Sequence, residues 1–227
     1  MVLAGLKDKL FLVLCILSTV ACGLGVFGGS FDVIGILTTI FLWLVYSNAK
    51  KGVADADNLR NISGTLYARY VLNYVAYVMI AVLGCLFGVV LNSFSDEFEE
   101  ALRSTGMISE QIIEALLAVP GVFIIAVCII IAAIGCVLNY FGFRKIHLFA
   151  KSVYQGIGNA DISFVKNAES AKLWLWIYGM FGAIGCFGSL MPGEFNSMSF
   201  YSGGCASAGY IVAAIIIGRY IFAENKE

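Results

Sequence analysis

The residues best suited to bind a solute are tyrosines and asparagines set in apolar sequence. Four tyrosines recur at spacings of three or four residues, which places them on one face of a helix. With neighbouring asparagines, their hydroxyl and amide groups could line a cavity that opens to the cytoplasm and binds a neutral solute through hydrogen bonds. The predicted lining residues are Tyr67, Tyr70, Asn73, Tyr74, Tyr77, Asn139 and Tyr140.

The same residues have a second interpretation that needs no ligand. Tyrosine is enriched where membrane-spanning helices meet the lipid headgroups, and asparagine forms hydrogen bonds between such helices. The sequence alone leaves both interpretations open.

Other side chains give no sign of a catalytic or metal site. Six of the seven cysteines lie inside apolar runs and form no CxxC pair, which is typical of cysteine acting as a small hydrophobic residue. His147 has no cysteine or acidic residue at ligand spacing. We therefore predict no metal, no cofactor and no enzymatic activity.

The composition indicates which elements position these residues. The chain is 60% hydrophobic and only 13% charged, whereas soluble domains are about 25% charged. Residues 115–143 contain no charged side chain, and about 20 apolar residues suffice for a helix to cross a bilayer. Because the apolar runs are continuous rather than alternating, we expect membrane-spanning helices.

The predicted fold is all-α: a polytopic transmembrane helix bundle of six spans that forms a single domain over residues 1–227. Short amphipathic outer helices are expected between the third and fourth spans, in the acidic stretch 93–118. Residues 47–70 are expected to form a polar connection of helix-compatible residues, residues 144–172 a second, basic connection, and residues 194–207 an outer loop. The spans are predicted at residues 10–27, 31–46, 70–92, 119–143, 173–191 and 208–222.

The charges orient this layout. All lysines and arginines except Arg103 fall on the face that carries both termini, and Asp32 falls on the opposite face with the acidic stretch. Lysine and arginine are retained on the cytoplasmic side. We therefore expect a cytoplasmic (cell) membrane protein with both termini in the cytoplasm.

Small residues are placed for close helix packing. Glycines recur at spacings of three or four residues, and they let helix backbones approach in lipid. They could pack one bundle together or form the seam of a homo-oligomer. The predicted packing residues are Gly84, Gly88, Gly179, Gly182, Gly185 and Gly188.

The absence of charge from the six apolar cores limits the function. Ion-coupled pumps, voltage sensors and intramembrane proteases keep ionisable residues there because those residues do the chemistry. We expect a non-enzymatic membrane scaffold, or a subunit that binds a membrane-protein partner or its own copy. The alternative is a small facilitator, channel or transporter for a neutral or weakly polar solute. The net charge of -1 offers no attraction for nucleic acid, and the bilayer is the expected surrounding partner.

Overall fold

In a computed structural model, the described part of the chain is all-helical. It covers residues 2–29, 31–93, 99–100, 103–104, 119–155, 162–188 and 197–221, and contains no strand. The all-α prediction is confirmed for these residues. The helices are α1 (Val2–Lys7), α2 (Lys9–Phe27), α3 (Val33–Lys50), α4 (Ala56–Ser93), α5 (Gly121–Phe141), α6 (Phe143–Gln155), α7 (Ile162–Gly188) and α8 (Ser197–Ile221).

Five helical segments in the described residues are long and apolar enough to cross a membrane. They are Lys9–Phe27, Val33–Lys50, Ala56–Ser93, Gly121–Gln155 and Phe200–Arg219. The multi-pass membrane class is therefore supported. The predicted span 173–191 falls largely on α7, which is not among the five, and six spans stay a prediction.

The predicted polar connection 47–70 consists of helix-compatible residues and is mostly helical in the structure. In the stretch 47–70 only residues 51–55 are non-helical, and α4 begins at Ala56. Leu59, Ile62 and Leu66 recur at helical spacing and pack into the core, which draws this polar stretch into a helix.

The expected outer loop 194–207 is also helical from Ser197 onward, because α8 begins there. Glycine and serine disfavour a helix in isolation, but here they allow close contact. The Ser202 hydroxyl donates to the Ala21 carbonyl at 2.8 Å, so packing outweighs propensity. The predicted outer helices at 93–118 lie almost wholly outside the described residues.

The turns between α2, α3 and α4 use glycine where the backbone requires it. Gly29 and Gly52 have φ values of 84° and 85°, a region that side chains disfavour. Asp55 then precedes α4 and accepts hydrogen bonds from the backbone and side-chain amides of Asn58 and from the Asn48 side chain. Partial burial alone would raise the pKa of Asp55, but these bonds hold it below its ordinary value.

The described contacts divide the chain into two compact units. The first comprises residues 1–70 and 141–227. Within it α2 packs against α3 and α8, α8 packs against α7, and α7 packs against α6. Asp8 at the start of α2 lies 3.5 Å from Arg219 near the end of α8, so α2 and α8 run antiparallel.

The second unit comprises residues 71–140 and is a hairpin of the later part of α4 with α5. The two backbones approach closely at glycines. A side chain at Gly84 would meet Cys128, and one at Gly88 would meet Ile125 and the Gly121 carbonyl. Glycine therefore sets the separation of these two helices.

Exchange of single glycines for alanine in α4 should separate packing from backbone entropy. A Cβ at Gly88 would lie 2.6 Å from the Gly121 carbonyl oxygen, whereas nothing lies within 4 Å of a Cβ at Gly64. We expect Gly88→Ala to lower the free energy of unfolding by about 1–3 kcal/mol through overpacking. Gly64→Ala should raise it by about 0.5–1 kcal/mol.

The measurement is unfolding of each variant by dodecyl sulfate titration in mixed micelles. Gly64→Ala is the matched control, because it makes the same change in the same helix. Equal effects of the two substitutions would contradict the close packing at Gly88.

Candidate functional site

The first unit encloses a cavity of ≈ 410 Å³, within the size range of small-molecule sites. Residues of α1, α2, α3, α4, α6, α7 and α8 line it. Much of the lining is aliphatic and aromatic. The polar lining residues are Ser18, Cys22, Asp32, Thr38, Thr39, Thr65, Arg69, Ser202 and Tyr210.

The cavity is elongated, and its two ends differ in polarity. On α2 the lining runs from Phe11 to Gly25, about 21 Å along the axis at 1.5 Å per residue. The end near the start of α3 carries the charged residues. The opposite end is closed by a buried apolar cluster, whose members on the cavity wall include Leu6, Phe11, Leu59, Phe149 and Val153.

An ion pair marks the polar end. Asp32 caps α3, and its Oδ1 accepts a hydrogen bond from the Gly35 backbone N–H at 2.9 Å. Its Oδ2 contacts the guanidinium of Arg69 on α4. Partial burial would raise the pKa of Asp32, but the Gly35 amide and Arg69 stabilise the carboxylate, and the pKa lies below its ordinary value. Asp32 is therefore ionised at neutral pH.

Arg69 lies on the cavity wall together with Tyr210 of α8. Its ion-pair partner Asp32 stands at the N-terminus of α3. An arginine keeps its charge in proteins, so the pair is ionic at neutral pH. The side chains of Arg69 and Asp32 are 27% and 48% exposed, and the pair therefore lies where the cavity meets the surface.

Hydroxyl groups line the middle of the cavity. The Thr38 hydroxyl donates to the Ile34 carbonyl at 2.7 Å and lies 2.9 Å from the Thr65 hydroxyl. The Thr39 hydroxyl donates to the Gly35 carbonyl and lies 3.4 Å from the Cys22 sulfur. Because threonine can satisfy its hydroxyl within its own helix, the helices tolerate these groups in an apolar setting.

The Asp32–Arg69 contact corrects the predicted charge layout. The two residues were assigned to opposite membrane faces, but side chains in contact cannot be separated by a hydrocarbon core about 30 Å thick. The assignment of one of them is wrong. The reason is the early start of α4: Asp55 bonds to Asn48 at the far end of α3, and Arg69 follows about 20 Å along α4.

The predicted tyrosine and asparagine set does not line this cavity. Tyr67 belongs to the first unit, where its ring lies 5.2 Å from His147 and 6.2 Å from Tyr70. His147 in turn lies 3.2 Å from the Ser63 hydroxyl. These side chains form part of the contact between α4 and α6 in that unit.

The other predicted cavity residues belong to the second unit. Tyr77 lies against Gly135, and Asn139 is only 2% exposed. Tyr74 and Tyr140 are exposed, and Asn73 is half-buried. None of the predicted residues appears on the wall of the cavity in the first unit.

The remaining predicted packing glycines lie on α7. Side chains at Gly179 and Gly182 would meet Ser207 on α8, and Gly179 also faces Ile211. Nothing lies within 4 Å of a Cβ at Gly185. Gly188 ends α7, and its surroundings lie outside the described residues.

The residues missed from sequence are Asp32, Arg69 and Tyr210. Each lies next to or inside an apolar run, where a single charge or tyrosine reads as a residue of the membrane surface. The sequence offered one signal for this cavity. The threonines of α3 and Thr65 are polar residues that lie in a predicted span or in the helix beside it.

The described residues hold no group of three or more His, Cys, Asp or Glu side chains that could bind a metal ion. Comparison of the chain with protein-family models, with curated proteins and with solved structures gave no match. The geometry of the cavity therefore carries the functional argument.

Cys22 allows a direct test of entry into the cavity. It lines the cavity, whereas Cys15, two turns earlier on α2, is fully buried and does not. We expect N-ethylmaleimide, a small uncharged reagent, to alkylate Cys22 several-fold faster than Cys15, because reaction follows access to the thiol.

The measurement uses two variants that each retain one of these cysteines, with the other six replaced by alanine. Alkylation is followed by mass spectrometry in liposomes, and both thiols should react alike after unfolding in dodecyl sulfate. Equal rates in the folded protein would show that the cavity does not admit the reagent.

Proposed function

We propose that this chain is a non-enzymatic, multi-pass membrane protein that binds a small neutral or weakly polar solute and facilitates its passage. The cavity of the first unit carries this proposal. Its walls combine a large apolar area with a few placed polar groups, which is the usual make-up of a small-molecule site.

The charges in the cavity favour an uncharged solute. Asp32 and Arg69 neutralise each other, so the wall presents no net charge to attract an ion. An ion that entered the cavity would have no oppositely charged partner of its own, because Asp32 and Arg69 are already paired with each other. Its burial would therefore be unfavourable.

We further propose six spans in the cytoplasmic membrane, with α7 as the additional span and both termini in the cytoplasm. The contact between Asp8 and Arg219 supports an even number, because it brings the start of the first span to the end of the last. Five crossings would separate these ends. The single-domain organisation and the outer amphipathic helices remain part of this proposal.

A scaffold or subunit role is the second candidate. The observation in its favour is an open apolar face on α7, where Met180, Phe181 and Ile184 are more than half exposed and Gly185 has space beside it. A partner helix or a second copy of the chain could pack closely there.

Flux into liposomes tests the facilitator. Gly209 lines the cavity, and a Cβ there would make only an ordinary contact with Leu14 at 3.7 Å, so a larger side chain can be added. We expect the purified protein to accelerate glycerol entry, measured by stopped-flow light scattering. Gly209→Leu should reduce that acceleration because its side chain fills part of the cavity.

Gly185→Leu is the matched control, since it makes the same change on the open face of α7 and should leave flux unchanged. Sodium lactate, which is charged, should not be carried. Glycerol entry no faster than in protein-free liposomes would reject the facilitator. If a membrane protein then co-purified in mild detergent and Gly185→Leu released it, the scaffold would be favoured.

A further inference from the structure

The cavity is amphipathic along its length, and this limits what can fill it. Its polar end holds the Asp32–Arg69 pair, and Tyr210 of α8 lines the same cavity. Its other end is closed by Phe11 and Phe149 among aliphatic side chains. A small neutral solute can bind at the polar end alone, whereas a pure hydrocarbon would leave the polar end without a hydrogen-bonding partner. A molecule that fills both ends needs a polar head and an apolar tail.

We propose that the occupant is a single-tailed amphiphile whose head is uncharged and both donates and accepts hydrogen bonds. The head lies against Asp32, Arg69 and Tyr210. The tail extends towards Phe11 and Phe149. This inference rests on the proposed small-molecule function of the cavity and names the class of molecule that it takes.

The ion pair selects the head. A hydroxyl or amide head can accept from the guanidinium and donate to the carboxylate at the same time. An anionic head would have to share Arg69 with Asp32, and two carboxylates at one site repel each other. A cationic head would meet the same conflict with Arg69. Only the uncharged head adds hydrogen bonds without displacing the existing pair.

The shape of the cavity selects the tail. Its wall extends about 21 Å along α2, at 1.5 Å per residue from Phe11 to Gly25, and seven helices contribute to it. Such a length suits one extended chain, and burial of that chain removes apolar surface from water. The exposed position of Asp32 and Arg69 leaves the head near the opening.

The experiment compares three photoreactive probes that differ only in the head: an alcohol, a carboxylate and a trimethylammonium. Each has the same ten-carbon chain with a diazirine at its far end. The full-length protein is held in phosphatidylcholine nanodiscs and irradiated, and adducts are mapped by mass spectrometry. In the wild type we expect the alcohol to label the cavity wall around Ser18 and Leu14 most strongly, because an extended ten-carbon chain reaches about that far from the polar end, and excess decanol to suppress that labelling.

Removal of one charge of the ion pair should change which head group the cavity prefers, and the direction of the change depends on which charge is removed. Asp32→Asn keeps a residue that caps a helix well but leaves Arg69 without its partner. The ratio of carboxylate to alcohol labelling should then rise about tenfold, the scale of one charge-assisted hydrogen bond. Arg69→Gln should raise the trimethylammonium ratio instead, and the double variant should restore the preference for the alcohol.

The ratio distinguishes recognition from a structural role, because a variant that merely loosens the fold would change labelling by all three probes alike. If Arg69→Gln does not fold, Asp32→Asn still decides. A ratio unaltered by Asp32→Asn would overturn this inference while leaving the proposed function intact, and wild-type preference for a charged head would count against both. Absence of cavity labelling by every probe would also overturn this inference, whereas the proposed function is decided separately by the glycerol flux.

Two further probes separate the possible sources of the molecule. A photoreactive monoacylglycerol resides in the bilayer, whereas a six-carbon photoreactive alcohol reaches the protein from water. Labelling by the first alone identifies a membrane lipid, and labelling by the second alone identifies a soluble compound. Either result, or labelling by both probes, supports the uncharged head, and failure of both together with failure of the ten-carbon alcohol would overturn it.

Discussion

The ion pair between Asp32 and Arg69 is the constraint on which the first unit depends. A charged group that is partly removed from water needs a partner, and these two residues provide one for each other from different helices. Their contact fixes the register of α3 against α4. Asp55 and Asn48 fix the opposite end of the same pair of helices. With both ends fixed, the threonines between them are held along one wall of the cavity.

Close helix packing elsewhere depends on glycine, which has no side chain. Gly88 in the second unit and Gly182 in the first lie where a methyl group would strike the facing helix. In lipid, moving an apolar side chain from the bilayer into a helix contact gains little free energy, because both surroundings are apolar. Van der Waals contact between the backbones therefore has to hold the helices together. The first unit nevertheless retains a cavity among its helices.

The sequence predicts the helices of this protein better than it predicts their contacts. The first span was placed at 10–27, and α2 is Lys9–Phe27, because a continuous apolar run depends on local composition alone. The stretch 194–207 was expected to be a loop, but its small residues become helical from Ser197 onward through packing. The cavity could not be predicted, because its wall joins residues far apart along the chain, such as Thr38 with Thr65 and Ser202 with Ala21.

The proximity of Asp8 to Arg219 shows that α2 and α8, which lie near the two ends of the described chain, are in contact within the first unit. The start of α2 and the end of α8 are therefore neighbours. A peptide linker could join the two regions, and the chain could be reopened at the glycine turn after α2. The helices of such a circularly permuted protein would insert into the membrane in a different order, but each would pack against the same helices as before. Its assembly would show whether folding depends on which hairpin is synthesised first.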